Sequence, residues 1–95
     1  MRLTGRERDI ICSEVMKIDP GGRVYLFGSR ADDDRRGGDI DLLVETSGDL
    51  DFKSRLLLEY LISSACDTRV DMIFKSPSDD ETPIYRIAKK TGIAL

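Results

Sequence analysis

This sequence predicts an α+β (α/β) domain: a small mixed three-stranded sheet of order 1-2-3, packed with helices in the chain order α-β-β-α-β-α. Three observations predict it. Two apolar, strand-forming runs, residues 23–27 and 40–45, are joined by a short polar connection, as antiparallel neighbours can be. A third run, residues 69–74, follows only after a long helical stretch, which suits a parallel crossover. Apolar residues at helical spacing flank the strands before, between and after.

The elements follow in order. Thr4-Gly5-Arg6-Glu7 fits a capping box, and Ile10, Ile11, Val15 and Ile18 line one face of the helix behind it. Asp19-Pro20-Gly21-Gly22 stops that helix. Val24, Tyr25, Leu26 and Phe27 make the first strand. A short helix beginning at Ser29 is expected to run to about Asp34. The second strand is Ile40 to Glu45. A helix from Leu50 to about Ala65 is expected to turn Leu50, Leu57, Leu58, Leu61 and Ile62 inward. Arg69 to Phe74 is the third strand, and a polar loop with Pro77 follows. Pro83 fits the first turn of the last helix. That helix runs to about Thr91 with Gly92 closing it.

Ninety-five residues make a single domain, 1–95, with a thin core. At 40% hydrophobic and 35% charged, the chain has the composition of a soluble globular protein. Its net charge of −3 argues against nonspecific nucleic-acid binding. Cys12 and Cys66 form no CxxC, and there is no histidine. A Cys/His zinc site and a histidine base are therefore excluded, and both thiols are expected to pack as small hydrophobes. No run reads as a signal peptide or a membrane span. These features point to a cytoplasmic protein with reduced thiols.

The stretch with chemistry is Phe27-Gly28-Ser29, a spacer from Arg30 to Gly38, and Asp39-Ile40-Asp41-Leu42. Aspartate is depleted in strands. Here two stand two residues apart and so share a face at the mouth of an apolar strand. Two carboxylates that close repel each other unless a cation lies between them. Oxygen-only donors suit Mg²⁺, which binds one or two carboxylates together with substrate phosphates. Asp-x-Asp alone most often marks a solvated strand entrance, and Gly-Ser alone a turn; the combination is far rarer. The expected topology brings the start of the third strand to the same edge, and Asp71 stands there. Asp71 would be costly to bury without a partner. The Asp32–Asp34 run reads as a solvated loop, and Arg35 and Arg36 as its counter-charges. Gly37 and Gly38 would let the spacer fold back over the site.

At these residues the chain resembles the DNA-polymerase-β-like nucleotidyltransferase superfamily. The likeness is closest to the minimal nucleotidyltransferases and covers nearly the whole chain. The resemblance implies two Mg²⁺ ions held by Asp39, Asp41 and Asp71, the last also helping to deprotonate the acceptor hydroxyl. It implies that Gly28 and Ser29 receive the phosphates, with Arg30 as a candidate phosphate clamp. It further implies transfer of a nucleoside monophosphate from ATP or another NTP to a hydroxyl. The acceptor would be a tyrosine of a small all-helical HEPN-type toxin, with this chain as antitoxin. The alternative is a non-catalytic module that neutralises its helical partner by contact. Transfer to a small molecule ranks below both, and a homo-oligomer is left open.

Overall fold

The computed structural model describes residues 2–32 and 38–95. The expectations for Asp33, Asp34, Arg35, Arg36 and Gly37 lie outside the described residues. Helix α1 spans Gly5–Ile18, and its capping box is closed on both sides. The Glu7 amide donates to Thr4 Oγ1 and the Thr4 amide to Glu7 Oε1, each at 3.0 Å. Strand β1 (Arg23–Phe27) runs into a single 3₁₀ turn, Gly28–Ala31, shorter than the helix expected there. Strand β2 is Ile40–Glu45, helix α2 Phe52–Cys66 and strand β3 Val70–Lys75. Helix α3 is Pro83–Thr91, with Thr82 as its N-cap and Pro83 in its first turn.

Strands β1 and β2 pair antiparallel, and β2 and β3 pair parallel, as the connection lengths require. The sheet has a fourth strand. Ile93–Ala94 forms β4 against β1, giving the order β3-β2-β1-β4. Gly92 therefore does not close α3 in a left-handed conformation. Its backbone is extended (φ −73°, ψ 155°) and leads straight into β4. A side chain there would press on the Ala88 carbonyl and on Tyr25 Cβ, so close packing explains the glycine.

Alternation divides the strands between two faces. Val24, Leu26, Ile40, Leu42, Val44 and Val70 pack against Ile11 and Val15 of α1 and Leu58 and Ile62 of α2. On the opposite face, Phe27 and Leu43 pack with Ala88 of α3 and with Tyr25, Ile73 and Tyr85. Every apolar residue of β2 is buried, which marks it as the central strand.

Helix α2 departs from expectation on its outer side. Only Leu58 and Ile62 are buried, whereas Leu57 and Leu61 are 51% and 37% exposed. The helix is apolar nearly all round, so periodicity did not single out its inner stripe. Residues 57 and 61 lie about 100° around the helix from 58 and 62. They join Phe52, Leu56 and Tyr60 in an outward apolar stripe. Among the described residues no helix is long and apolar enough to cross a membrane.

Candidate active site

The two-residue period puts Asp41, Leu43 and Glu45 of β2 on the α3 side of the sheet, with Phe27 of β1 and Asp71 of β3. The register then sets the site. Asp41 stands opposite Phe27 on one side and opposite Asp71 on the other. Asp39 lies just before β2, is exposed, and falls on the same side as Asp41 by alternation. Asp39, Asp41 and Asp71 thus gather at one edge of the sheet, where β1 turns into Gly28. Helix α3 covers the other end of this face.

Gly28 has φ +72°, a left-handed conformation that favours glycine. A Cβ there would run into the Asp41 carboxylate, reaching within 3.1 Å of its Cγ. Only a residue without a side chain lets the backbone come this close to Asp41. Ser29 follows in the first turn. Its carbonyl accepts from Arg2 Nη2 at 3.0 Å and from the Asp32 amide at 3.3 Å. Beside Gly28 lies a hollow of about 390 Å³ lined by Phe27, Ala31, Asp32, Ile87 and Thr91. A second hollow, about 310 Å³ between α1 and the β1–β4 edge, is lined by no acidic side chain.

Arg30 is placed differently from a phosphate clamp. Its side chain is 16% exposed, and its terminal nitrogens are spent on protein oxygens. Nη1 donates to the Arg2 carbonyl at 3.0 Å and lies 3.5 Å from Glu7 Oε1, while Nη2 donates to the Gly38 carbonyl at 2.8 Å. Thr68 Oγ1 donates to the same Gly38 carbonyl at 3.1 Å. Arg30 and Thr68 together fix the end of the spacer and hence the approach to Asp39. Sequence reasoning did not single out Thr68 or Arg2, and read Glu7 only as part of a helix cap, because these contacts join residues 23 to 30 positions apart that no motif links.

Asp71 is half exposed and faces a cation, Arg69 Nε, 3.3 Å from its Oδ1. No group of three His, Cys, Asp or Glu side chains among the described residues converges tightly enough to hold an ion unaided. A hard divalent ion such as Mg²⁺ takes one or two carboxylates and draws its remaining ligands from phosphate and water. The donor set, carboxylates alone on adjacent strands, fits such an ion. The thiols fit no catalytic part. Burial, with Glu7 nearby, pushes the Cys66 thiol up, away from the reactive thiolate.

A family model described as polymerase beta, nucleotidyltransferase, matches residues 11–95. The chain belongs to this nucleotidyltransferase family. Members of the family generally use divalent metals. No match is found among curated protein sequences. Solved structures agree with the family. A chain from a mutant of the toxin–antitoxin MntA-HpeT is 26% identical, with a TM-score of 0.75, over 93% of this chain and 70% of that one. A chain from a toxin–antitoxin with AMP-PNP shares the fold at 24% identity and a TM-score of 0.71, over 93% and 70%. So does a chain from tri-AMPylated Shewanella oneidensis HEPN toxin in complex with MNT antitoxin, at 24% and 0.67, over 94% and 67%.

Proposed function

We propose that this nucleotidyltransferase is Mg²⁺-dependent and moves AMP from ATP to a tyrosine hydroxyl of a small helical HEPN-type toxin, acting in the cytosol as its antitoxin. One observation carries the chemistry: the register that sets Asp41 between Phe27–Gly28 and Asp71. The choice of donor and acceptor draws support from the similar chains, which come from complexes described with AMP-PNP and with an AMPylated HEPN toxin.

In this reading Asp39 and Asp41 would hold one ion together with the triphosphate, and Asp71 would complete the site of a second. When bound, such ions neutralise charge on the attacking and leaving oxygens of an in-line displacement. The chain's own residues do the rest. Gly28 admits the phosphates close to the backbone, and Ser29 offers its hydroxyl and amide to the terminal ones. Arg30 acts at a distance, holding Gly38 and so the entry to Asp39. Asp71 takes the proton of the acceptor hydroxyl as its oxygen bonds to the α-phosphorus. The bond from that phosphorus to the α–β bridging oxygen breaks, and pyrophosphate leaves with the electron pair.

A second reading, a module that neutralises its partner by contact alone, is favoured by the outward stripe of Phe52, Leu56, Leu57, Tyr60 and Leu61 on α2. Patches of this kind mark interaction surfaces. Labelled-ATP transfer to the toxin, by the native chain and by Asp39→Ala/Asp41→Ala, separates the two. Label on the toxin with the native chain and none with the double variant is the expected result. No label with either, while both still bind the toxin, would leave the contact reading standing.

A further inference from the structure

One charge at the aspartate edge has no part in the proposed mechanism. Arg69 stands two residues before Asp71, on the same face of the chain. Its Nε lies 3.3 Å from Asp71 Oδ1, with the two side chains 73% and 48% exposed. Its backbone is anchored beside the other carboxylates. The Arg69 carbonyl accepts from the Ile40 amide at 3.0 Å, and neighbouring Thr68 holds the Gly38 carbonyl. The register pairs Ile40 with Val70 and Asp41 with Asp71, so the next step back sets Arg69 beside Asp39. The edge therefore reads Asp39 and Asp41 on one strand, Arg69 and Asp71 on the next: a guanidinium among three carboxylates.

An exposed pair of this kind is weak and exchanges readily. A divalent ion brings twice the charge and, once several carboxylate and phosphate oxygens repay its lost hydration, displaces the guanidinium. We propose that Arg69 is a positioning residue that holds the Asp71 carboxylate as a counter-ion until a divalent cation arrives, and competes with that cation for it. The inference rests on the metal-site reading of Asp39, Asp41 and Asp71. Arg69 keeps Asp71 aimed into the row of carboxylates, at the expense of metal affinity.

Mn²⁺ binding by the full chain, followed by the loss of the free-ion electron paramagnetic resonance signal, tests this without recourse to activity. Arg69→Gln is expected to bind Mn²⁺ about three- to thirtyfold more tightly than the native chain, the scale of removing one unit charge roughly 4–12 Å from a divalent ion in water. A merely structural role predicts the opposite sign, since a damaged site binds less. Arg69→Lys, which keeps the charge, is expected to stay within about twofold of the native chain. In an Asp71→Asn background the gain from Arg69→Gln should shrink, because the contested carboxylate is gone. Equal or weaker binding by Arg69→Gln, with Asp71→Asn weakened as expected, overturns the inference and leaves the metal site intact. Native-level binding by both Asp71→Asn and Asp41→Asn overturns the metal-site reading itself.

Discussion

One face of one sheet carries two acidic regions, and they are built on opposite plans. At the α3-covered end stands Glu45. Its Oε1 accepts from Lys89 Nζ and its Oε2 from Tyr85 Oη, each at 2.6 Å. Lys89 Nζ also donates to Tyr25 Oη at 2.8 Å and sits 4.3 Å above the Tyr25 ring. Burial alone would raise the Glu45 carboxyl, but the bonds from Lys89 and Tyr85 outweigh it and hold the carboxyl below its ordinary range. At the other end, about two strand turns away, three aspartates share an edge with one exposed arginine. A fold optimised only for stability would treat both ends like the first. Glu45 is matched by groups of its own chain and serves as a latch for α3. The aspartate edge instead keeps carboxylates at an exposed end of the strands, where a cationic ligand can reach them.

Neutralising each end in turn is the strongest way to break this contrast. Asp41→Asn should lower nucleotidyl transfer about a thousandfold or more, since it removes an oxygen ligand from the centre of the edge. Its thermal midpoint should change less than that of Glu45→Gln, because the carboxamide keeps the shape of the side chain at a half-buried position. Glu45→Gln should do the reverse. Transfer stays near native while stability falls by about 1–2 kcal/mol, as two hydrogen bonds lose their charge. Melting curves and initial rates on the two variants give the four numbers needed. A midpoint lost in Asp41→Asn to the same degree as in Glu45→Gln would make the aspartate edge structural as well.

Gly28→Ala probes the contact between the first strand and that edge. The left-handed backbone would cost about 1–2 kcal/mol with a Cβ present. The Cβ also lands on the Asp41 carboxylate, which must move. A fall in transfer of about a hundredfold, larger than the stability loss explains, is expected, because small misplacements of reacting groups carry costs of that order. Transfer that follows only the fraction of folded protein would show that Asp41 need not be held where Gly28 allows it.

The aspartate edge was legible before any coordinates, because its cues are local and its geometry is periodic. Gly28-Ser29 ends one strand, Asp39-Ile40-Asp41 opens the next, and connection lengths alone set the strand directions that bring Asp71 alongside. The latch end was not legible. Tyr85 and Lys89 lie 40 and 44 residues beyond Glu45 in sequence, and nothing in that spacing announces a meeting. The same holds for Arg30. Its charge was evident, but the Gly38 and Arg2 carbonyls that take its donors follow from tertiary packing. Strand β4 has two residues, too few for any period to show; Gly92 does end α3, but nothing in it announces the strand that follows. The inner stripe of α2 was blurred because an apolar residue stands on almost every side of that helix.

Lys89→Met sharpens the comparison at the latch end. It keeps the aliphatic packing of α3 but removes the ammonium from Glu45 and from the face of Tyr25. Lys89 is 42% exposed, so solvent screening limits the loss to about 1 kcal/mol. Chemical denaturation should show that loss, with transfer unchanged. A comparable fall in transfer would mean that the two ends of the face are coupled through β2.

The smallest effect expected is that of Tyr85→Phe, and its pH dependence makes it diagnostic. The substitution removes one donor to Glu45 and leaves the ring in place beneath Lys75 Nζ, 5.5 Å from its centroid. About 0.5–1 kcal/mol should be lost near neutrality. The folded Glu45 carboxyl lies below its ordinary value of 4.5. Its contribution is therefore complete above that value and disappears as the pH falls through the lower, folded one. The native chain and Tyr85→Phe should differ most above pH 4.5 and converge under stronger acid. A gap between native and Tyr85→Phe that persists unchanged into strong acid would assign the Tyr85 hydroxyl a partner other than the ionised Glu45, and the latch would have to be drawn differently.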